Sequence, residues 1–155
     1  MPPNEHSYSK PKLVLLGPAQ AADSAAAPAA ATRRSLAIDR DFRLAVEALA
    51  LQPQEQAQLF ENSCVTCGLV TRFSTAATAF EGLWTGRLAA GQARLLQELR
   101  ESVAGLTAAD LTCFRSDVLT RPGWAQVRRR AVRLALALGW SEKLPLHVHR
   151  SRTAR

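Results

Sequence analysis

Two thiols three residues apart, Cys64 and Cys67 in the run Ser63-Cys64-Val65-Thr66-Cys67-Gly68, are the side chains whose type and spacing come nearest to a chemistry. Residues at i and i+3 of a helix share a face, so the pair could hold a soft metal ion or cycle between dithiol and disulfide. A structural zinc site needs four ligands, and only Cys113 and the distant His147 and His149 could complete one here. A single C-x-x-C without a second close pair is a weak metal signature. A redox pair is expected at the start of a helix after a strand, where the helix dipole lowers a thiol's pKa. The pattern around Cys64 instead places the pair well inside a helix, with no strand before it. Packing is the plainer reading, since free cysteine behaves as a small apolar residue and both thiols fall on the face of Phe60. No metal or other cofactor is expected, and Cys64, Cys67 and Cys113 would be the ligands if one bound. Three cysteines are an odd number, which disfavours a disulfide framework and points to a reducing, cytoplasmic setting.

The second cluster is Arg128-Arg129-Arg130 with Arg133. On a helical wheel Arg129, Arg130 and Arg133 lie away from Trp124 and Leu134, while Arg128 sits closer to the apolar stripe. A basic second helix in a hairpin suggests a reader of the DNA major groove, but no aromatic residues are interleaved for stacking on bases. The charge distribution argues the same way. Residues 39–140 carry 12 Arg and no Lys against 10 Asp and Glu, so most of the chain's net +7 comes from its two ends. Catalytic groups are scarcer still. His6, His147 and His149 fall in the terminal segments, Asp110 is suited to capping, and no phosphate loop, nucleophile motif or carboxylate cluster is present. The chain reads as non-catalytic.

These residues must be positioned by helices. Alanine is frequent and aromatics make up 6% of the chain, a balance that favours helices over sheet. The expectation is an all-α, five-helix bundle over residues 39–140 ending in a helix hairpin. A first helix runs from Asp39 to Leu51, a second from Pro53 to Gly68 or Arg72, a third from Ser74 to about Gly86, and a fourth from Gly91 to Ala104. The hairpin follows, its two arms taking the count of segments to six. Thr107 caps its first arm with Asp110 in the position of a capping box, and Leu106 staples to Leu111. That arm extends to Thr120, and Pro122 opens the second arm, which closes at Gly139. The expected buried set is Phe42, Val46, Leu49, Phe60, Cys64, Cys67, Phe80, Trp84, Leu96, Leu99, Leu111, Phe114, Val118, Trp124, Val127, Leu134 and Leu138.

Residues 1–38 read as a disordered Pro/Ala-rich arm with one apolar island, Leu13-Val14-Leu15-Leu16, and residues 141–155 as a short irregular basic tail. The island is too short for the apolar core of a secretory signal, and no apolar run reaches the 18 or so residues that cross a bilayer. A helical domain without a catalytic constellation is expected to act by presenting a surface, as an adaptor, an assembly or regulatory factor, or an immunity-type inhibitor. Leu13 to Leu16 would anchor a partner protein, and the basic tail would steer an acidic one. The alternative expectation is a nucleic-acid-binding protein that uses the tails and the Arg129, Arg130 and Arg133 face.

Overall fold

The computed structural model describes residues 18–60 and 63–140, with side chains from Ala29 onward. Five α-helices make up the described chain, with no strand: α1 (Pro18–Ala50), α2 (Pro53–Gln58), α3 (Val65–Trp84), α4 (Ala90–Ala104) and α5 (Pro122–Ala137), plus a 3-10 turn at Ser116–Thr120. No described helix is long and apolar enough to cross a membrane. The island Leu13–Leu16 and the tail 141–155 lie outside the described residues.

The chain divides into a unit ending at Arg34 and a second unit from Ser35 onward. The described part of the first is the N-terminal stretch of α1, whose side chains from Ala29 to Arg34 are exposed. Asp39 was expected to open this helix, yet it lies inside it, next to Ile38, which already packs against the core. Alanine has the highest helix propensity and Pro18 suits a first helical turn, so the helix begins well ahead of the residues that enter the core.

In the second unit, Phe42, Val46 and Leu49 of α1 meet Leu69, Phe73, Ala77 and Phe80 of α3, Leu96 and Leu99 of α4, and Trp124, Val127, Ala131 and Leu134 of α5 in one buried cluster. Helix α4 packs chiefly on α5, and the 3-10 turn packs on α2 and α5. Of the expected core, Phe42, Val46, Leu49, Phe80, Leu96, Leu99, Val118, Trp124, Val127 and Leu134 are buried, whereas Phe60, Cys64, Trp84, Leu111 and Leu138 are half-buried. Cys67 and Phe114 are exposed.

Three further boundaries differ from the sequence reading. Helix α2 is six residues long, and a separate helix starts at Val65, because Asn62-Ser63 are residue types that favour helix starts over interiors. Helix α3 then passes straight through Ser74. Its stripe Leu69, Phe73, Ala76, Ala77 and Phe80 is continuous, and the exposed Ser74 is tolerated, with its carbonyl accepting from Thr78 Oγ1 at 2.9 Å. The third concerns the first arm of the hairpin, which is not a helix. The Thr107–Asp110 box forms, with Thr107 N donating to Asp110 Oδ2 at 3.0 Å and Asp110 N to Thr107 Oγ1 at 3.3 Å. The Asp110 carbonyl, which a longer helix would use internally, accepts instead from the buried Trp124 indole at 2.9 Å. Phe114 then turns the chain with φ 57°.

Candidate thiol centre

The break between α2 and α3 brings the cysteines together. Cys64 is the N-cap of α3, with extended backbone (φ −65°, ψ 112°), and its carbonyl accepts the first helical bond from Gly68 N at 2.9 Å. Cys67 follows in the first turn, so the pair sits at a helix N-terminus and not inside a helix as the spacing suggested. Gly68 has a structural reason to lack a side chain, because a Cβ there would lie 2.6 Å from the Phe60 ring. Cys113 arrives from the other side, carried by the capped turn 107–111 that Trp124 holds in place. The Sγ atoms of Cys64, Cys67 and Cys113 all lie within 4.8 Å of one another, and Cys67 and Cys113 stand 3.5 Å apart. Among the described residues this is the one group of three potential metal ligands, and all three cysteines are free thiols.

The electrostatics are graded across the cluster. Cys64 is lowered to about 6, first by a hydrogen bond to the Thr66 hydroxyl, with the backbone amides of Cys67 and Phe114 and the Cys67 thiol adding to it against partial burial. The Sγ–Oγ1 distance to Thr66 is 3.1 Å, and Thr66 itself is buried. Cys113 is raised to about 11, because it donates to Cys64 and Cys67 and loses those bonds, and gains their repulsion, on ionising. The cluster by itself therefore holds a thiolate at Cys64 and a thiol at Cys113. Phe114 completes the centre. Its left-handed backbone is costly for a side chain of this size, and it aims an amide at Cys64 while the residue stays 83% exposed. A cavity of about 180 Å³ lies between the same two segments, lined by Ser63, Val65, Thr66, Phe114, Arg115 and Ser116.

A pH prediction follows from these groups. The folded value for Cys64 is depressed, so its thiolate stabilises the fold fully above the ordinary value of 9.0 and loses that contribution as pH falls through about 6. Iodoacetamide labelling of Cys64 should fall to half its plateau rate near pH 6, and Thr66→Val should move that midpoint toward 9. Equal midpoints for wild type and variant would refute the assigned cause. Peptide mapping by mass spectrometry reads both.

The arginines of α5 differ in what they contact. Arg128 is driven into the fold, where burial lowers its pKa, and it donates to Leu119 O at 2.8 Å and Gln56 Oε1 at 3.2 Å. Arg130 bonds Glu98 O and Ser102 Oγ, and Arg133 pairs with Glu98 at 3.7 Å. Both thus reach α4, Arg130 half-buried and Arg133 exposed, and Arg129 is exposed as well. His147 and His149 lie outside the described residues. Sequence reasoning missed Thr66, Phe114 and Gln56. The available signal for the first was Asn62-Ser63 ahead of an apolar run, which marks a helix start and would have moved the thiols to a helix N-terminus. No family model, curated protein or solved structure matches the chain.

Proposed function

We propose that the chain is a non-catalytic binding module whose centre is the Cys64, Cys67 and Cys113 cluster, and that the centre takes a soft, thiolate-preferring metal ion, with zinc as the reference case. The observation that carries this reading is the convergence of three sulfurs within 4.8 Å from two segments far apart in sequence. Tetrahedral zinc with bonds of about 2.3 Å to sulfur keeps its thiolates about 3.8 Å apart, close to the 3.5 Å between Cys67 and Cys113. Charge supports the same ion. Three neighbouring thiolates repel one another, and that repulsion adds to the hydrogen bonds to Cys64 and Cys67 that keep the proton on Cys113. A divalent cation removes the repulsion and displaces the proton. Three ligands leave one coordination position for a donor beyond the cluster. The exposed Phe114 ring beside it supports a role in docking a partner protein, the metal ordering the loop that presents it.

Native mass spectrometry and calorimetry on the reduced full chain test this. One zinc per chain is expected, with proton release that grows as pH falls. Cys64→Ser, Cys67→Ser and Cys113→Ser should each weaken binding at least about a hundredfold, exceeding the effect usual for the groups that only orient ligands. A second reading rests on the lowered Cys64 thiol at a helix N-terminus, the setting of thiol–disulfide exchange. A reduced chain that ignores zinc but forms one internal disulfide with glutathione disulfide would replace the metal reading with that one.

A further inference from the structure

A second site lies away from the thiols, between the buried half of α1, the C-terminal end of α3 and the turn that follows α5. It is a cavity of about 490 Å³, within the size range of small-molecule sites. Its apolar wall is aromatic. Phe80 and Trp84 continue a ring series in which Phe42 and Phe80 stack at 4.0 Å and Phe80 and Trp84 stand 6.1 Å apart, with Trp140 set edge-on to Phe42 at 5.9 Å. Trp140 is placed by the C-terminal cap of α5, where Gly139 takes φ 75° and Trp140 N bonds Ala135 O at 2.9 Å. Two of the chain's three tryptophans thus line one cavity, in a protein poor in aromatic residues.

The polar wall is cationic. Arg40, Arg43 and Arg87 line the cavity together with a single carboxylate, Asp39, which accepts from Trp84 Nε1 at 2.7 Å. Arg43 lies over the Trp140 ring, 5.6 Å from its centroid, and donates through Nε to Glu47 at 2.8 Å. Among the described residues its two Nη groups have no hydrogen-bond partner, so a stacked, oriented guanidinium presents unused donors to the cavity. Arg87 has no ion pair among the described residues, and the Arg40–Asp41 pair is long (3.8 Å) and exposed. Planar forks with open donors match a carboxylate, which guanidinium binds in two-pronged fashion, and indole faces match a flat ring.

We infer that this cavity binds a small aromatic carboxylate, its ring against Trp84 and Trp140 and its acid group on Arg43 and Arg87. Calorimetry with the full chain, using 1-naphthoate and its neutral counterpart 1-naphthamide as probes, tests the assignment. Naphthoate should bind at one site per chain, at least about tenfold more tightly than the amide, because only the acid engages charged donors. Arg87→Glu should weaken the acid at least tenfold and leave the amide unchanged. Arg43→Lys keeps the charge and the Glu47 pairing but loses the planar fork, and should show the same selective loss. Unaltered thermal unfolding of both variants would confirm that the fold is intact. Equal binding of acid and amide, no effect of either variant, or no binding of naphthoate at millimolar concentration would overturn the inference. An unaltered response in Cys113→Ser would show that this site is independent of the thiol centre.

Discussion

Trp124→Ala should lower the free energy of unfolding by about 3–5 kcal/mol, the range for truncating a fully buried large aromatic, as read by chemical denaturation of the reduced chain. Trp124 has no solvent exposure and lies in the first turn of α5, so its ring fills space shared by α5 and the capped turn. Its second function is polar. The indole donates to Asp110 O at 2.9 Å, and without it that buried carbonyl loses its partner. Trp124→Phe separates the two contributions. It keeps most of the ring and should cost only about 1–2 kcal/mol, the penalty for one unsatisfied buried group with some loss of packing. Both variants also test the thiol centre, because the turn that Trp124 clamps leads directly into Cys113. If the clamp positions that sulfur, zinc affinity should fall in Trp124→Phe although no ligand has been altered. Unchanged affinity in a folded Trp124→Phe protein would show that Cys113 is held by its own loop.

Gln56→Leu should destabilise the chain by about 3 kcal/mol, even though it replaces a polar side chain with an apolar one of similar size at a fully buried position. Gln56 Nε2 donates to Ala48 O and Leu49 O, each at 3.1 Å, satisfying carbonyls that the last turn of α1 leaves without helical partners. Its Oε1 accepts from Arg128 Nη1 at 3.2 Å. One amide therefore joins α1, α2 and α5, and leucine would leave two buried acceptors unmet and a half-buried guanidinium with only Leu119 O. Each unmet group costs about 1–3 kcal/mol. A double-mutant cycle with Arg128→Met should show coupling between the two residues, since removing the cation as well removes part of the penalty. Additive losses in that cycle would mean that the Arg128 contact contributes nothing to stability.

Wherever one face of a long element carries a regular apolar stripe, the sequence determined this protein by itself. The stripes Phe42-Val46-Leu49, Leu96-Leu99-Val103 and Trp124-Val127-Ala131-Leu134 have helical period and are buried as such, because periodicity reports directly which side must leave water. The all-α class, the closure of α5 at Gly139 and the Thr107–Asp110 box were legible for equally local reasons. Tertiary structure decided the boundaries and the site. Whether Cys64 lies within a helix or caps one depends on a break whose local signals are weak, and whether the Thr107 box starts a helix depends on Trp124, fourteen residues on, taking the Asp110 carbonyl. Whether Arg130 spends its donors within the fold depends on Glu98 and Ser102 of a neighbouring helix. The meeting of Cys113 with Cys67, 46 residues apart, leaves no trace in local spacing, because residue types along a chain record propensity and burial, while proximity between distant segments arises only once the helices have packed.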